Sequence, residues 1–362
     1  MEKYCIGIDV DKKTIKCCLT RHLESCKKVM GSHTFANSEA GFALLLAWVE
    51  KKVGSKSSQA SYVMEATGVY HERLAYYLQA HKHQVHIVLP LKAKRYLQSL
   101  GLRSKTDQID AKGLSFMGLE QDLDIWQPAS GRLLELRSVT RQLEVLQQHR
   151  TSFKNQLEGA KHSAVVHRSV IQSLEKMIRQ LEAELARLEK QAKKLVEQDA
   201  VLQAKYKLII PLKGVGWLSF AVVASETNGF ALFKNQRQLV CYSGYDVVQN
   251  QSGQRVGKSR ISKKGNTHIR RILHLAAWSV VRHKTRPFYQ LYERVYERTG
   301  VKMKAYVAVQ RKLLVMLYTL WKKDEPFNPG FADQPDVIEL PILGNKTGSP
   351  VGPPALDRLV SI

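Results

Sequence analysis

The first 125 residues combine short apolar segments with longer amphipathic ones. The segments YCIGIDV, TIKCCLT, SYVMEAT and QVHIVLP have the length and composition of strands, and the DKK turn joins the first two as a hairpin. Amphipathic helices are predicted from Ser38, which is a capping residue, over VYHERLAYYLQAH, and from near Thr106 or Asp107. This alternation predicts an α/β domain over residues 1–125.

Residues 130–200 show a different pattern, with apolar positions three and four residues apart. Two heptad stretches, broken around KHSAVVHRS, predict long helices of coiled-coil character. The helices could form an antiparallel hairpin or pair with another subunit, and the pattern favours neither, although Arg150 weakens the first seam. The heptad positions are Leu136, Val139, Leu143, Leu146, Arg150, Phe153 and Leu157, and then Ile171, Leu174, Ile178, Leu181, Leu185, Leu188, Ala192 and Leu195.

Residues 205–323 predict a mostly α-helical, strongly basic domain. Between Arg255 and Lys323 there are 18 Lys or Arg residues and two acidic residues. A solvated face usually mixes both signs, so this imbalance indicates a polyanionic partner. From residue 324 onward, seven of the 11 prolines and little apolar periodicity predict a disordered tail over 324–362.

The charge of the whole chain points to the same kind of partner. The 362 residues carry a net charge of +24, which indicates nucleic acid binding. A membrane partner is disfavoured, because no apolar run approaches the roughly 18 residues needed to span a bilayer, and MEKYCIGIDV lacks the apolar region of a signal peptide. The five cysteines form no CxxC pair, so neither a zinc site nor a disulfide framework is supported.

Four acidic residues fall at the ends of predicted elements: Asp9, Glu65, Asp107 and Asp110. Asp9 and Glu65 end two strands, and the carboxyl ends of neighbouring strands converge on one sheet edge. Asp107 and Asp110 are three residues apart, so they share one helix face. Four carboxylates together repel one another unless cations are bound, and oxygen-only ligands suit Mg²⁺ or Mn²⁺. Two such ions stabilise the attacking and leaving oxygens of a phosphodiester.

Each acid also has an ordinary structural explanation. Asp107 could cap its helix, and Asp110 could be a first-turn acid favoured by the helix dipole. Asp11 competes with Asp9 if the strand continues, but the DKK turn favours Asp9. Spacing alone leaves the metal site and these explanations equally open.

Three segments, GIDVDKKT, MEATGVY and KTDQIDAKGL, resemble the RuvC-like DEDD domain of the IS110/IS1111 transposases, a group that includes the Piv-type invertases. The segment ISKKGNTHIRRILHLAAW, preceded by FKNQRQLVCYSGYD and QSG, is similar to that family's second domain. The resemblance covers residues 4 to 320. It implies an RNase H/RuvC-like N-terminal fold with Mg²⁺ or Mn²⁺ at the four acids.

The same resemblance gives a role to Ser252. By itself the Ser252–Gly253 pair is typical of an ordinary turn, but the family carries its nucleophile at this place. A phosphoserine link would conserve the bond energy for rejoining. Ser259 and Ser262 are nearby competitors, although Ser262 suits a helix cap or a phosphate contact. The resemblance also implies that the acids and the serine cooperate, and that subunits can share one site.

Basic residues and glycines near Ser252 are candidates for phosphate contacts. The turn at Gly214 and Gly216 is similar to that of a helix-hairpin-helix, whose backbone N–H groups meet a phosphate, and a simple tight turn is the alternative. Relatives often carry proline where this chain has Lys213. Phosphate contacts position DNA without reading its sequence. The candidates are Lys213, Gly214, Gly216, Arg255, Lys258, Arg260, Lys263, Lys264, Arg270 and Arg271.

These features favour a transposase or site-specific DNA recombinase of an insertion sequence, acting in the bacterial cytoplasm on nucleoid DNA. The expected partners are donor DNA, target DNA and further copies of the chain, as a dimer or tetramer. The resemblance implies that some members pair a structured noncoding (bridge) RNA with both DNAs, which one protein sequence leaves open for this chain. The alternatives are a Holliday-junction resolvase-like metal-dependent nuclease, a Piv-like DNA invertase and a non-catalytic nucleic-acid-binding protein.

Overall fold

The computed structural model describes residues 2–23, 26–66, 68–101, 106–248, 251–252, 255–256 and 260–328. The chain divides into two compact units, residues 1–130 and residues 131–362. Among the described residues, no helix is both long enough and apolar enough to cross a membrane.

A five-stranded mixed sheet forms the centre of the first unit. Its strands are β1 (Lys3–Val10), β2 (Thr14–Leu23), β3 (Cys26–Ala36), β4 (Ser61–Glu65) and β5 (Gln84–Val88). The order across the sheet is β3-β2-β1-β4-β5, in which the first three are antiparallel neighbours and β4 and β5 run parallel to β1. This is the arrangement of RNase H/RuvC-like domains, so the predicted α/β fold is confirmed. The sequence pattern did not predict β3.

Helices cover this sheet: α1 (Glu39–Val53), α2 (Glu72–Ala80), α3 (Pro90–Ser99) and α4 (Asp107–Glu120). The predicted cap of α1 is confirmed, since the Ser38 hydroxyl accepts a hydrogen bond from the Gly41 N–H. Thr106 caps α4 in the same way by accepting from the Ile109 N–H. Asp107 is therefore the first residue of the helix and leaves the capping to Thr106.

The second unit is mainly helical, as predicted. Its helices are α5 (Gly131–Lys161), α6 (Arg168–Glu197), α7 (Ala200–Lys207), α8 (Trp217–Glu226), α9 (Gln236–Tyr242), α10 (Thr267–Arg282), α11 (Phe288–Thr299) and α12 (Lys302–Lys323). Two short ladders that were not predicted lie between α9 and α10. They pair β6 (Val247–Val248) with β9 (Arg260–Ile261), and β7 (Gln251–Ser252) with β8 (Arg255–Val256).

The heptad segment folds back on itself within one chain. The consecutive helices α5 and α6 pack against each other, and Lys154 Nζ lies 2.7 Å from Glu182 Oε1 across them. The two helices thus form the antiparallel hairpin, which was one of the two arrangements that the heptad pattern allowed. Leu143 and Leu185 are buried in the same core as α8, α10 and α12, whereas Arg150 is only half-buried.

The chain remains packed beyond α12. The Phe327 N–H donates to the Leu208 carbonyl, and the Phe327 ring stacks on Phe288 with 6.3 Å between centroids. Only 5% of Phe327 is exposed. The prediction of a disordered tail from residue 324 is therefore corrected for 324–328, because Phe327 contributes to the core. The rest of the predicted tail, 329–362, lies outside the described residues.

Candidate active site

Asp9 and Glu65 lie at the carboxyl ends of adjacent parallel strands. The last paired residues of β1 and β4 are Ile8 and Met64. Asp9 follows Ile8 and Glu65 follows Met64, so both acids reach the same edge of the sheet.

Helix α4 brings Asp107 and Asp110 to this edge. It crosses β1 so closely that a Cβ atom on Gly7 would overlap the backbone carbonyl oxygen of Ala111. Glycine at position 7 is therefore required by the packing of the helix on the strand. With Ala111 above Gly7, the first turn of α4 lies toward the end of β1 that carries Asp9.

The four carboxylates act on one another electrostatically. Burial, and then the negative charges of Asp107, Asp110 and Glu65, raise the pKa of Asp9 to about 6. The positive charge of Lys16 opposes this rise. The net effect on Asp9 is a raised pKa, so its environment disfavours the ionised carboxylate.

Lys16 is a site residue that sequence reasoning missed. It lies directly opposite Asp9 in the β1–β2 register, and its ammonium group forms an ion pair with Asp107, which raises the pKa of Lys16. The DKK turn could have indicated the register, but the contact with Asp107, 91 residues later, depends on the packing of α4. Nowhere in the described ranges do three or more His, Cys, Asp or Glu residues form a metal-ligand arrangement. Lys16 provides a counter-charge to Asp107 and Asp9 at this edge.

Asp11, the competitor of Asp9, belongs to the turn after β1. Its N–H donates to the Thr14 carbonyl at 2.9 Å, and its own carbonyl accepts from Asn37 Nδ2 at 2.8 Å. Asp11 is exposed, and strand β1 ends before it. The structure therefore favours Asp9 as the strand-end acid.

Ser252 lies on a β-hairpin of the second unit. The β6–β9 ladder pairs Val248 with Arg260, and the β7–β8 ladder farther along pairs Ser252 with Arg255. Ser252 therefore lies in the inner of the two ladders, near the middle of the segment that joins α9 to α10. Three nearby residues fall outside the described part of the chain: Gly253, Lys258 and Ser259.

The base of the hairpin is closed by Ser262 and Asp246. The Ser262 hydroxyl donates to Asp246 Oδ1 at 2.5 Å, and its N–H donates to the Asp246 carbonyl at 2.8 Å. The Lys264 N–H in turn donates to the Ser262 hydroxyl at 3.2 Å. Ser262 thus has a structural position at the base, which separates it from Ser252.

Beneath this base lies a buried ionic network that the sequence analysis missed. Glu226, of whose side chain 1% is exposed, accepts from Arg141 Nε at 2.7 Å and Arg141 Nη2 at 2.9 Å. It also accepts from Asn266 Nδ2 at 2.7 Å, and Asn266 Oδ1 caps α10 through the Ile269 N–H. Burial opposes ionisation, but these hydrogen bonds hold the pKa of Glu226 below its ordinary value. The network ties α5, α8 and α10 together below the hairpin.

Two of the predicted phosphate contacts are already bonded within the second unit. Arg270 donates to the carbonyl oxygens of Ser243 and Asn266 at 2.9 and 3.2 Å. Arg271 donates to Glu144 Oε1 at 2.8 Å. Both side chains are half-buried and stabilise α10.

The other described candidates are at the surface. Lys213, Arg260, Lys263 and Lys264 are exposed. Gly214 has a φ of +99°, and a Cβ atom there would meet Val280 of α10 at 2.8 Å, so packing alone requires glycine at this position. A Cβ atom on Gly216, at the start of α8, would meet open space, and that turn remains accessible.

Known protein families match both the segment that carries the four acids and the segment that carries Ser252. Residues 6–164 match the IS110 DEDD transposase family, and residues 206–293 match a family described as transposase IS116/IS110/IS902. Together the two matches include the four acids and Ser252. The chain belongs to the IS110 family of transposases.

Relatives of this IS110-family chain are similar over nearly its whole length. It is 27% identical to the pilin gene-inverting proteins of Moraxella bovis and Moraxella lacunata, over 91% of this chain and 98% of each relative. A probable family 20 transposase of Pseudomonas aeruginosa is 28% identical over 44% of this chain and 47% of its own. The IS110-family chain is thus an enzyme of the DNA transposase and recombinase class.

Two solved structures of Thermus thermophilus RuvC, one in complex with a Holliday junction substrate, were also compared with the IS110-family chain. Each covers 34% of this chain and 99% of its own, with TM-scores of 0.27 and 0.25 and identities of 11% and 13%. At these scores they carry no functional argument, and the fold assignment rests on the strand order of the sheet.

Proposed function

We propose that the protein is a site-specific DNA recombinase whose acids Asp9, Glu65, Asp107 and Asp110 hold Mg²⁺ or Mn²⁺ while Ser252 cleaves the strand. The observation that carries this proposal is the convergence of the four acids at one sheet edge, where burial and then the charges of the other three acids raise the pKa of Asp9 to about 6. Such crowding favours a divalent cation, and an oxygen-only donor set suits these two metals. When bound, the metal supplies stabilisation of the negative charge that develops on the phosphate oxygens.

Lys16 gives the protein a means of holding the acidic edge together before metal binds. Its ion pair with Asp107 links the first turn of α4 to β2. A cation that binds the acids competes with this ammonium group for Asp107. Lys16 is exposed enough to turn away, since 35% of its side chain is accessible.

The serine chemistry proposed for Ser252 conserves the phosphodiester bond energy. The Ser252 oxygen attacks phosphorus, the bond to one deoxyribose oxygen breaks, and that oxygen leaves as a hydroxyl with the proton given up by the serine. A DNA hydroxyl then attacks the phosphoserine, restores the phosphodiester and returns a proton to Ser252. The hairpin position of Ser252 suits this role, because a strand must reach the nucleophile from outside the helical core.

The proposed partners are donor and target DNA, a structured RNA and further copies of the chain. The exposed Arg260, Lys263 and Lys264 support contact with backbone phosphates, which carry no sequence information. A recombinase that binds its substrates in this way requires another source of sequence selection, and base pairing to an RNA provides one.

DNA inversion is a second candidate outcome of the same chemistry. It is favoured by the similarity to two pilin gene-inverting proteins over 98% of their length. Inversion and transposition differ in the arrangement of the DNA sites, so both agree with the proposed residues.

A denaturing gel tests the serine chemistry. The full-length protein is incubated with the DNA ends of its own element, any cognate noncoding RNA and Mg²⁺. The wild type is compared with Ser252→Ala and, as a control seven residues further along the sequence, with Ser259→Ala. We expect a protein–DNA adduct that survives denaturation in the wild type and the control and is lost in Ser252→Ala. Cleavage without an adduct, unchanged by Ser252→Ala, would identify a metal-dependent nuclease instead.

A further inference from the structure

The outward face of α10 carries an apolar surface that the proposed phosphate contacts do not explain. Leu275 and Trp278 are 58% and 51% exposed, although they lie on a helix whose other face is deeply buried. Arg282 lies one turn further on, and its guanidinium carbon is 5.3 Å from the centroid of the Trp278 ring. An exposed tryptophan beside a stacked guanidinium forms a flat platform with a positive rim.

The charge around this platform identifies its ligand class. From Arg270 to Arg286 the sequence has no acidic residue, and Arg282, His283 and Lys284 are all exposed. Glu144 of α5 lies near Leu275, but its carboxylate is bonded to His268 and Arg271. Burying so many like charges against an apolar protein surface would be costly. A nucleic acid strand offers both an aromatic face for the ring and phosphates for the cations.

A second basic element lies against the same helix. The Thr285 hydroxyl donates to the carbonyl oxygen of Lys213 at 3.2 Å, and Gly214 packs on Val280. The exposed Lys213 is thereby fixed beside the C-terminal half of α10. Basic residues from two segments, the end of α10 and the turn at Lys213, therefore lie near the platform.

We propose that Leu275, Trp278 and Arg282 form a stacking site for an unpaired nucleobase, with the flanking phosphates bound by Arg282, Lys284 and Lys213. The site binds single-stranded DNA or RNA in preference to duplex, because paired bases do not expose their faces. It rests on the proposed function in one respect, namely that the protein binds nucleic acid. It adds a contact that holds a displaced or unpaired strand during strand exchange.

The test measures binding of the full-length protein to oligo(dA), to oligo(A), to a duplex and to an abasic DNA strand that retains its phosphates. Trp278→Ala should weaken binding to oligo(dA) or oligo(A) by about five- to hundredfold, the effect of losing one stacked base, and leave the abasic strand and the duplex unchanged. Trp278→Phe should retain most of the affinity. The two homopolymers show whether DNA or RNA is preferred.

Two further variants separate stacking from charge and from nonspecific loss of apolar surface. Arg282→Gln should weaken binding to the abasic strand as well, and lower the salt dependence by about one phosphate contact. Val201→Ala, which alters a residue 62% exposed on α7, should change nothing. Circular dichroism checks that each variant is folded.

Several results would overturn the stacking site. They are unchanged oligo(dA) and oligo(A) binding in Trp278→Ala, an equal loss on the abasic strand, or a change in oligomeric mass on sedimentation, which would make the face a contact between copies of the chain. If these appear while the Ser252 adduct still forms, the stacking site fails and the recombinase function stands. If the adduct is absent but Trp278→Ala weakens binding as expected, the stacking site stands and the proposed recombinase function fails.

Discussion

Lys16 and Asp107 form an ion pair at the edge of the sheet where four carboxylates converge, and Lys16 also faces Asp9 across the β1–β2 register. Lys16 thus brings a positive charge of the protein to the edge that carries the four acids. A bound metal ion would need the same oxygen atoms of Asp107. The Lys16 ammonium group and the metal ion therefore compete for this carboxylate.

This competition predicts a gain in metal affinity when the lysine is removed. Lys16→Met should tighten Mn²⁺ or Mg²⁺ binding by roughly two- to fivefold, since an exposed ion pair competes only weakly with a bound cation. Metal titration followed by isothermal calorimetry measures the change. Lys13→Met, in the exposed turn after β1, is the matched control and should leave metal affinity unaltered. Weaker metal binding in Lys16→Met would show that the lysine assists the metal site.

The raised pKa of Asp9 predicts how the metal-free protein responds to pH. The folded state retains a proton on Asp9 up to about pH 6, whereas the unfolded chain loses it near pH 3.8. The folded state therefore binds more protons in this window, and the free energy of unfolding should fall as the pH rises from about 4 to 6.

Asp9→Asn should remove this part of the pH dependence. It should stabilise the metal-free protein at pH 7 by about 1 kcal/mol, a value reduced for solvent screening of a half-buried group. Urea denaturation in EDTA at pH 5 and pH 7.5 measures it, and the same variant should lose strand cleavage. An Asp9→Asn profile that still falls through this window would show that another group titrates there.

The contact of Gly7 with α4 predicts a packing defect that reaches the site. In Gly7→Ala the new methyl group overlaps the Ala111 carbonyl, so α4 must move away from β1 and carry Asp107 and Asp110 with it. We expect a loss of about 1–3 kcal/mol in unfolding free energy and weaker Mn²⁺ binding. Gly131→Ala, where a Cβ atom meets open space, is the control. Unchanged metal binding in Gly7→Ala would show that the acids do not depend on this approach.

Sequence reasoning located the acids because their positions follow from local patterns. Asp9 and Glu65 end apolar strands, and the spacing of Asp107 and Asp110 fits a helix that Thr106 caps. These features depend on residues a few positions away and on the rule that parallel strands share an edge.

Sequence reasoning did not find Lys16 or Glu226, because their roles depend on distant contacts. Lys16 meets a residue 91 positions later, and Glu226 is bonded to Arg141, 85 positions earlier. Neither belongs to a motif, and a glutamate at the end of an apolar helix does not indicate its partner. Phe327 was wrongly placed in a disordered tail for the same reason. Its neighbouring prolines are typical of disorder, and its contact with Phe288 depends on the folded chain.

The bidentate pair between Arg141 and Glu226 leads to the last two predictions. Arg141→Met would leave a carboxylate buried without its principal partner, which costs about 3–5 kcal/mol when one member of a buried pair is removed. Asn266 would retain its bond to Glu226, so the cap of α10 should remain. Urea denaturation at pH 7.5 measures the loss. Arg187→Met, which breaks the exposed pair with Glu184, is the matched control and should lower the unfolding free energy far less.

The pH dependence of the same pair has the opposite sign to that of Asp9. The pKa of Glu226 is lowered in the folded state, so its contribution to stability is complete above the unfolded value of 4.5 and is lost as the pH falls below it. The difference between wild type and Glu226→Gln should therefore shrink on acidification from pH 6 to pH 3.5. If the difference in unfolding free energy stayed constant, the Glu226 carboxyl would not be ionised at neutral pH. The network below the hairpin of Ser252 would then consist of neutral hydrogen bonds.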